Sequence, residues 1–132
     1  MTLVEDFEPE LPPVWGDRHR LDQVFANLIQ NAIKFSPNGG TITVRLRSQE
    51  GFVRAEVSDQ GIGIPADQLT KVFERFYQVD GSSKRRFGGT GLGLAIVQET
   101  VAIHGGLVTV QSQVNVGSTF SFTIPFAPAA TA

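Results

Sequence analysis

The sequence predicts a two-layer α/β domain in which helices cover one face of a sheet. Three observations lead there. Apolar residues recur at spacings of three and four over residues 21–33, the mark of an amphipathic helix. Several short segments alternate apolar and polar residues, the mark of half-buried strands. The order then reads strand, helix, two strands, helical segment, helix, two strands, with no interior linker to suggest a second domain. At 132 residues the chain has room for one hydrophobic core.

The first strand is expected over Leu3 to Phe7, followed by a passage broken by Pro9, Pro12 and Pro13. Asp17 is a good N-cap for the first helix. Leu21, Val24, Phe25, Leu28, Ile29, Ala32 and Ile33 form its apolar stripe, and the run Ser36-Pro37-Asn38-Gly39-Gly40 stops it near Phe35. Ile42, Val44 and Leu46 alternate with Thr43, Arg45 and Arg47 in the next strand. Val53, Ala55 and Val57 do so with Arg54, Glu56 and Ser58 in the one after. A short amphipathic piece is expected around Leu69 to Phe76, then a mobile loop over residues 81–89. A helix from about Gly91 to His104 ends at Gly105-Gly106. Two strands close the chain, Leu107 to Ser112 and Thr119 to Pro125. In the last, Phe120, Phe122, Ile124 and Phe126 face one way and Thr119, Ser121, Thr123 and Pro125 the other. Residues 127–132 are read as an uncharged tail.

Composition excludes several classes. Apolar residues make up 41% and charged residues 18%, an ordinary globular balance. The net charge of −2 lacks the basic excess of a general nucleic-acid binder. Without cysteine there are no disulfides and no thiolate metal sites. The acidic start Met1-Thr2-Leu3-Val4-Glu5-Asp6 has no apolar core of a secretory signal. All 24 charged residues precede Thr100, but glycines and polar side chains keep the uncharged remainder well short of the roughly 18 apolar residues a membrane span needs.

Three places carry residue types suited to chemistry. On a helical wheel Asn27, Asn31 and Lys34 fall within about 60° of one another, beside the apolar stripe and flanked by Gln23 and Gln30. An amide oxygen is a hard ligand for Mg²⁺, and an ammonium suits a terminal phosphate; alone, the trio reads equally as the polar flank of an amphipathic helix. Asp59-Gln60-Gly61-Ile62-Gly63 ends a strand where glycines admit close approach of a ligand. The carboxylate there suits an exocyclic amine, although an Asp-Gly turn without function has the same sequence. Gly88-Gly89-Thr90-Gly91-Leu92-Gly93-Leu94 leads into a helix, where free N–H groups and the positive dipole end favour an anion. It is neither a P-loop nor a Rossmann turn. Lys84-Arg85-Arg86 upstream suits phosphate or plain solvation. His19 and His104 lack a neighbouring carboxylate pattern and read as structural.

In their order these segments resemble the catalytic and ATP-binding domain of bacterial two-component sensor histidine kinases, within the superfamily of gyrase, chaperone and mismatch-repair ATPases. The N box resembles Asp22 through Phe35, the G1 box Asp59 through Pro65, the F box Val72-Phe73-Glu74-Arg75-Phe76-Tyr77, and the G2 box Gly88 through Leu94. The resemblance covers residues 1–126 as one domain. It implies the Bergerat fold, a mixed five-stranded sheet packed against about three helices, with ATP beneath a flexible lid. It implies ATP and Mg²⁺ as ligands. Asn31 would hold Mg²⁺ with Asn27 assisting, Lys34 would reach a phosphate, and Phe35 would lie against adenine. Asp59 would bind the adenine amino group, with Gly61, Gly63 and Ile64 shaping the pocket. Gly89, Thr90, Gly91, Leu92 and Gly93 would cradle phosphates, and Thr119 would reach the base through water. Tyr77 and Lys84, Arg85 and Arg86 would complete the nucleotide contacts, while Phe73 and Phe76 anchor the lid and meet the helix carrying an acceptor histidine.

Two departures refine this. Hydrolytic relatives place a water-activating Glu four residues before the Mg²⁺-binding Asn; here Asn27 stands there, and an amide is no base at neutral pH. Family members often carry a basic residue after the F-box aromatic, where this chain has Gln78, so Arg75 or Lys84 to Arg86 would have to meet the γ-phosphate. The resemblance implies γ-phosphoryl transfer to a histidine on a separate dimerisation and phosphoacceptor helical domain, then to a response regulator receiver domain. No acceptor-histidine box accompanies the domain, so the chain is expected to be the cytoplasmic catalytic module of a larger sensor kinase, monomeric alone, touching neither membrane nor nucleic acid. Two alternatives share the fold: an ATP-sensing interaction module without transfer, and an anti-sigma-type Ser/Thr kinase.

Overall fold

A computed structural model describes residues 2–14, 16–69, 71–74 and 93–126. Its elements follow the expected order: β1 (Thr2–Phe7), α1 (Arg18–Lys34), β2 (Thr41–Gln49), β3 (Phe52–Asp59), a 3₁₀ turn (Ala66–Gln68), α2 (Gly93–Ile103), β4 (Val108–Gln113) and β5 (Gly117–Pro125). The five strands form one mixed sheet in the order β1-β2-β3-β5-β4. β1 runs parallel to β2, which α1 permits as the crossover, and every other pairing is antiparallel.

Local chemistry accounts for the helix ends. Asp17 sits extended before α1 and its Oδ1 accepts from the Arg20 amide at 3.2 Å, so it is the N-cap. Phe35 closes the helix, its amide donating to the Asn31 carbonyl at 3.0 Å. At the far side of the sheet β2 turns into β3 through Glu50 and Gly51, both at positive φ, the conformation a two-residue hairpin requires.

The core lies between the helices and one sheet face. Val24, Leu28 and Ala32, spaced by four, point from α1, with Val97 and Val101 from α2. They meet Val44, Ala55, Val57, Phe120, Phe122 and Ile124 from the strands. Phe25 meets Phe122 edge-on at 5.2 Å, and Phe73 meets Phe120 the same way at 6.0 Å. The opposite face is polar, with ion pairs Asp6–Arg47 at 2.8 Å and Arg54–Glu56 at 3.3 Å. Ser121 belongs to that face by alternation and is nevertheless buried, because β5 is an interior strand; its hydroxyl donates to Glu56 at 3.4 Å.

Two expectations need adjustment. Among the described residues there are two α-helices and one 3₁₀ turn, against about three helices expected. The start of the amphipathic piece at Leu69 is not α-helical: beyond Pro65 the chain makes successive tight turns, with Lys71 donating to Gln68 and Glu74 to Lys71. The loop at 81–89, the start of the second helix at Gly91 and the tail at 127–132 lie outside the described residues. Among the described residues no helix is long and apolar enough to cross a membrane.

Candidate functional site

The last two turns of α1 and the loop after β3 form one corner of the domain. The loop is clasped at Ile62 from two sides. Its amide donates to the Phe35 carbonyl at 2.9 Å, and its carbonyl accepts from the Asn115 amide in the β4–β5 turn at 2.8 Å. Gln60 adds a third tie, accepting from the Thr41 amide at 2.9 Å. These contacts explain the glycines. A Cβ on Gly61 would fall onto the Phe35 carbonyl oxygen, and one on Gly63, at φ 74, onto that of Gln113. The backbone runs too close to its neighbours for any side chain.

Asp59 ends β3 on the helix-facing side and is buried. Its Oδ1 accepts from the Gly61 amide at 2.9 Å and the Ser118 amide at 3.2 Å. Burial pushes this carboxyl above its ordinary range, and the two amide donors pull it partly back. Both donors converge on one oxygen, leaving Oδ2 without a bond from the described residues.

On α1, Asn27, Asn31 and Lys34 share the border between the core and solvent. Asn31 Nδ2 is buried with no hydrogen-bond partner among the described residues. An unpaired buried donor costs roughly 1–3 kcal/mol, so its retention suits a ligand that supplies an acceptor. Lys34 is half-buried and makes no ion pair with the described residues. Gly93 brings the start of α2 beside Asn27: a Cβ there would lie 3.9 Å from Asn27 Oδ1. Asn27, Asn31, Lys34, Phe35, Asp59, Gly61, Gly63 and Gly93 therefore gather around α1 and the loop. Ile64 is fully buried beneath them, its amide bonded to Ser112 Oγ at 2.7 Å. Tyr77, Lys84, Arg85, Arg86, Gly89, Thr90, Gly91 and Leu92, with Phe76, lie outside the described residues.

Thr119 does not join the group. It pairs with Ser58 on the polar sheet face, hydroxyl to hydroxyl at 2.8 Å. The register partner of Asp59 is Ser118, and beyond it Ser112 on β4. Strand alternation corrects the assignment: if Phe120 faces inward, so does Ser118, while Thr119 faces out. That signal was in the sequence, but the pairing of Asp59 with Ser118 and Ser112 depends on a strand order that periodicity does not give.

His104 is structural. Its Nε2 accepts from the Asp17 amide at 3.0 Å and its Nδ1 donates to the Thr100 carbonyl at 2.8 Å. It clasps the start of α1 to the end of α2, and Gly16 leaves room for the ring. Phe73 lines an open cleft of about 540 Å³ with Ala95, Gln98, Ala102 and Leu107.

The comparisons agree with this fold. Residues 16–128 match the family described as histidine kinase-, DNA gyrase B- and HSP90-like ATPase. The sensor-like histidine kinase SenX3 of Mycolicibacterium smegmatis is 46% identical over 115 residues, 87% of this chain and 30% of that protein. The sensor histidine kinase WalK of Bacillus subtilis is 45% identical over 112 residues, 83% of this chain and 18% of that protein. The chain thus spans less than a third of either relative. Among solved structures, full-length ShkA in complex with AMPPNP superposes with a TM-score of 0.84 at 35% identity, covering 98% of this chain and 26% of that one. The mycobacterial sensor histidine kinase MprB superposes at 0.80 and 34% identity, covering 96% of this chain and 85% of that one. The chain belongs to the histidine kinase-, DNA gyrase B- and HSP90-like ATPase family, and within it resembles the catalytic ATP-binding domains of sensor histidine kinases.

Proposed function

We propose that this chain binds Mg–ATP at the corner between α1 and the Asp59 loop and donates the γ-phosphoryl group to a histidine on a partner helix. The observation that carries the reading is the buried Nδ2 of Asn31, without a hydrogen-bond partner among the described residues, on a helix border that also carries Asn27 and Lys34. The donor set fits the ligands. Asn31 offers an amide N–H to a phosphate oxygen and, at its other end, a hard neutral oxygen to Mg²⁺; Asn27 lies one turn away as a second amide. Bound Mg²⁺ would neutralise charge developing on the phosphates. Lys34 would reach a phosphate and Phe35 the base. Asp59 Oδ2 would accept from the adenine amino group, with Gly61 and Gly63 shaping its surroundings. Tyr77, the Lys84 to Arg86 run and the Gly89 to Gly93 segment are proposed phosphate and lid contacts, with Thr119 left out.

Asn27, one turn before Asn31, carries an amide, which is no base at neutral pH, so transfer to a nitrogen nucleophile suits this border better than hydrolysis. The acceptor imidazole nitrogen would form the new P–N bond as the P–O bond to ADP breaks. His104 does not serve, since both ring nitrogens are engaged. The acceptor belongs to the dimerisation helices of a parent sensor kinase, with a response regulator receiver domain as the next recipient. The chain mixed with that helical domain and radiolabelled Mg–ATP should yield acid-labile phosphate on the helices. Acid-stable phosphate, or none, would overturn the transfer.

A further inference from the structure

We infer that Ser112, one strand beyond Ser118 from Asp59, is a positioning residue that sets which edge of a purine the pocket accepts. The inference rests on reading the corner as the ATP site. Asp59, Ser118 and Ser112 lie in one row across β3, β5 and β4. Ser112 Oγ accepts from the Ile64 amide at 2.7 Å, lies 3.0 Å from the Gly117 carbonyl, to which it can only donate, and is 2.7 Å from Ser118 Oγ. A hydroxyl has one hydrogen and two lone pairs. The assignment that bonds both hydrogens sends that of Ser112 to Gly117, so Ser118 donates to Ser112. All three valences of Ser112 Oγ are then spent, and the Ser118 hydrogen points away from Asp59.

The consequence concerns the ligand. The amides of Gly61 and Ser118 are both spent on Asp59 Oδ1, and the Ser118 hydroxyl is committed to Ser112. The row therefore presents acceptors and no donor. An amino edge, rich in N–H, is matched by such a row, whereas the carbonyl of a 6-oxopurine meets oxygen lone pairs. Asp59 supplies part of this discrimination directly. Ser112 supplies another part through Ser118, because without its oxygen the Ser118 hydroxyl is free to rotate and donate to a carbonyl.

Calorimetric titration with Mg–ATP and Mg–GTP tests this on the whole chain. Ser112→Ala should lower the preference for ATP over GTP about fivefold, the worth of one neutral hydrogen bond, whereas Ser112→Thr, which keeps the oxygen, should retain it. Equal weakening of both nucleotides in Ser112→Ala would show a scaffold role only and overturn the inference. Should Ser112→Ala not fold, Ser118→Ala removes the acceptor itself and must lower the preference as well; an unchanged ratio there overturns it too. Wild-type protein that binds neither nucleotide would instead overturn the ATP reading beneath it.

Discussion

Asp59 and Ser118, 59 positions apart in sequence, meet where the carboxylate accepts the serine amide at 3.2 Å. The Gly61 amide reaches the same oxygen at 2.9 Å. The bond joins the end of β3 to the start of β5 and fixes the carboxylate with one oxygen spent and the other unbonded among the described residues. A buried acid held this way costs stability when it is ionised, and that cost has a measurable sign.

Burial raises the Asp59 carboxyl above its ordinary 3.8, so the folded chain holds this proton more tightly than the unfolded chain. Stability from this group is highest below that value and falls as pH rises through the window above it. Asp59→Asn keeps an oxygen for both amides without the charge. It should melt higher than wild type at pH 7, with the gain vanishing toward pH 3.8, and should bind no nucleotide. A lower melting temperature at pH 7 contradicts this.

Asn31→Ala separates binding from folding. Its amide nitrogen has no partner among the described residues and alanine favours the helix, so the variant should be no less stable than wild type, gaining up to about 3 kcal/mol, while Mg²⁺-dependent nucleotide binding disappears. Leu28→Ala, at a fully buried position on the same helix, should cost about 2–5 kcal/mol. Denaturant titration of both variants checks the contrast.

Gly61→Ala and Gly39→Ala should differ for distinct reasons. At Gly61 a Cβ falls onto the Phe35 carbonyl oxygen, and the loop must move, costing upward of about 2 kcal/mol and loosening the pocket. Gly39 has φ 80 with open space around it, so only backbone strain of about 1 kcal/mol applies. Equal melting temperatures for the two variants would refute the close approach.

His104→Ala should release the Asp17 amide at the start of α1. Hydrogen exchange at Asp17 should accelerate, with a global loss of about 1–2 kcal/mol. Unchanged protection there would mean the clasp is not holding the helix.

The elements that sequence periodicity specifies best are those the structure repeats most closely. The Asp17 cap, the Leu21–Ile33 stripe and the breaker run after Phe35 bound α1 almost to the residue, because each acts within a few positions. Asp59, Gly61 and Gly63 were legible through the same local logic and through their resemblance to a known box. Thr119 was misplaced, although the alternation of Phe120 and Phe122 already turned it outward. Ser112 and Ser118 carry no local signal, because their contacts with Asp59 and with each other depend on β5 lying between β3 and β4, a long-range pairing. The His104–Asp17 clasp, across 87 positions, is of the same kind.

The most direct measurement is calorimetric titration of the chain with a non-hydrolysable ATP analogue, with and without Mg²⁺, alongside Asn31→Ala. Binding by wild type in roughly the micromolar to millimolar range, strengthened by Mg²⁺ and lost in the folded variant, is the predicted result. Wild-type binding that ignores Mg²⁺ and survives Asn31→Ala would contradict the placement of the nucleotide at the α1 corner.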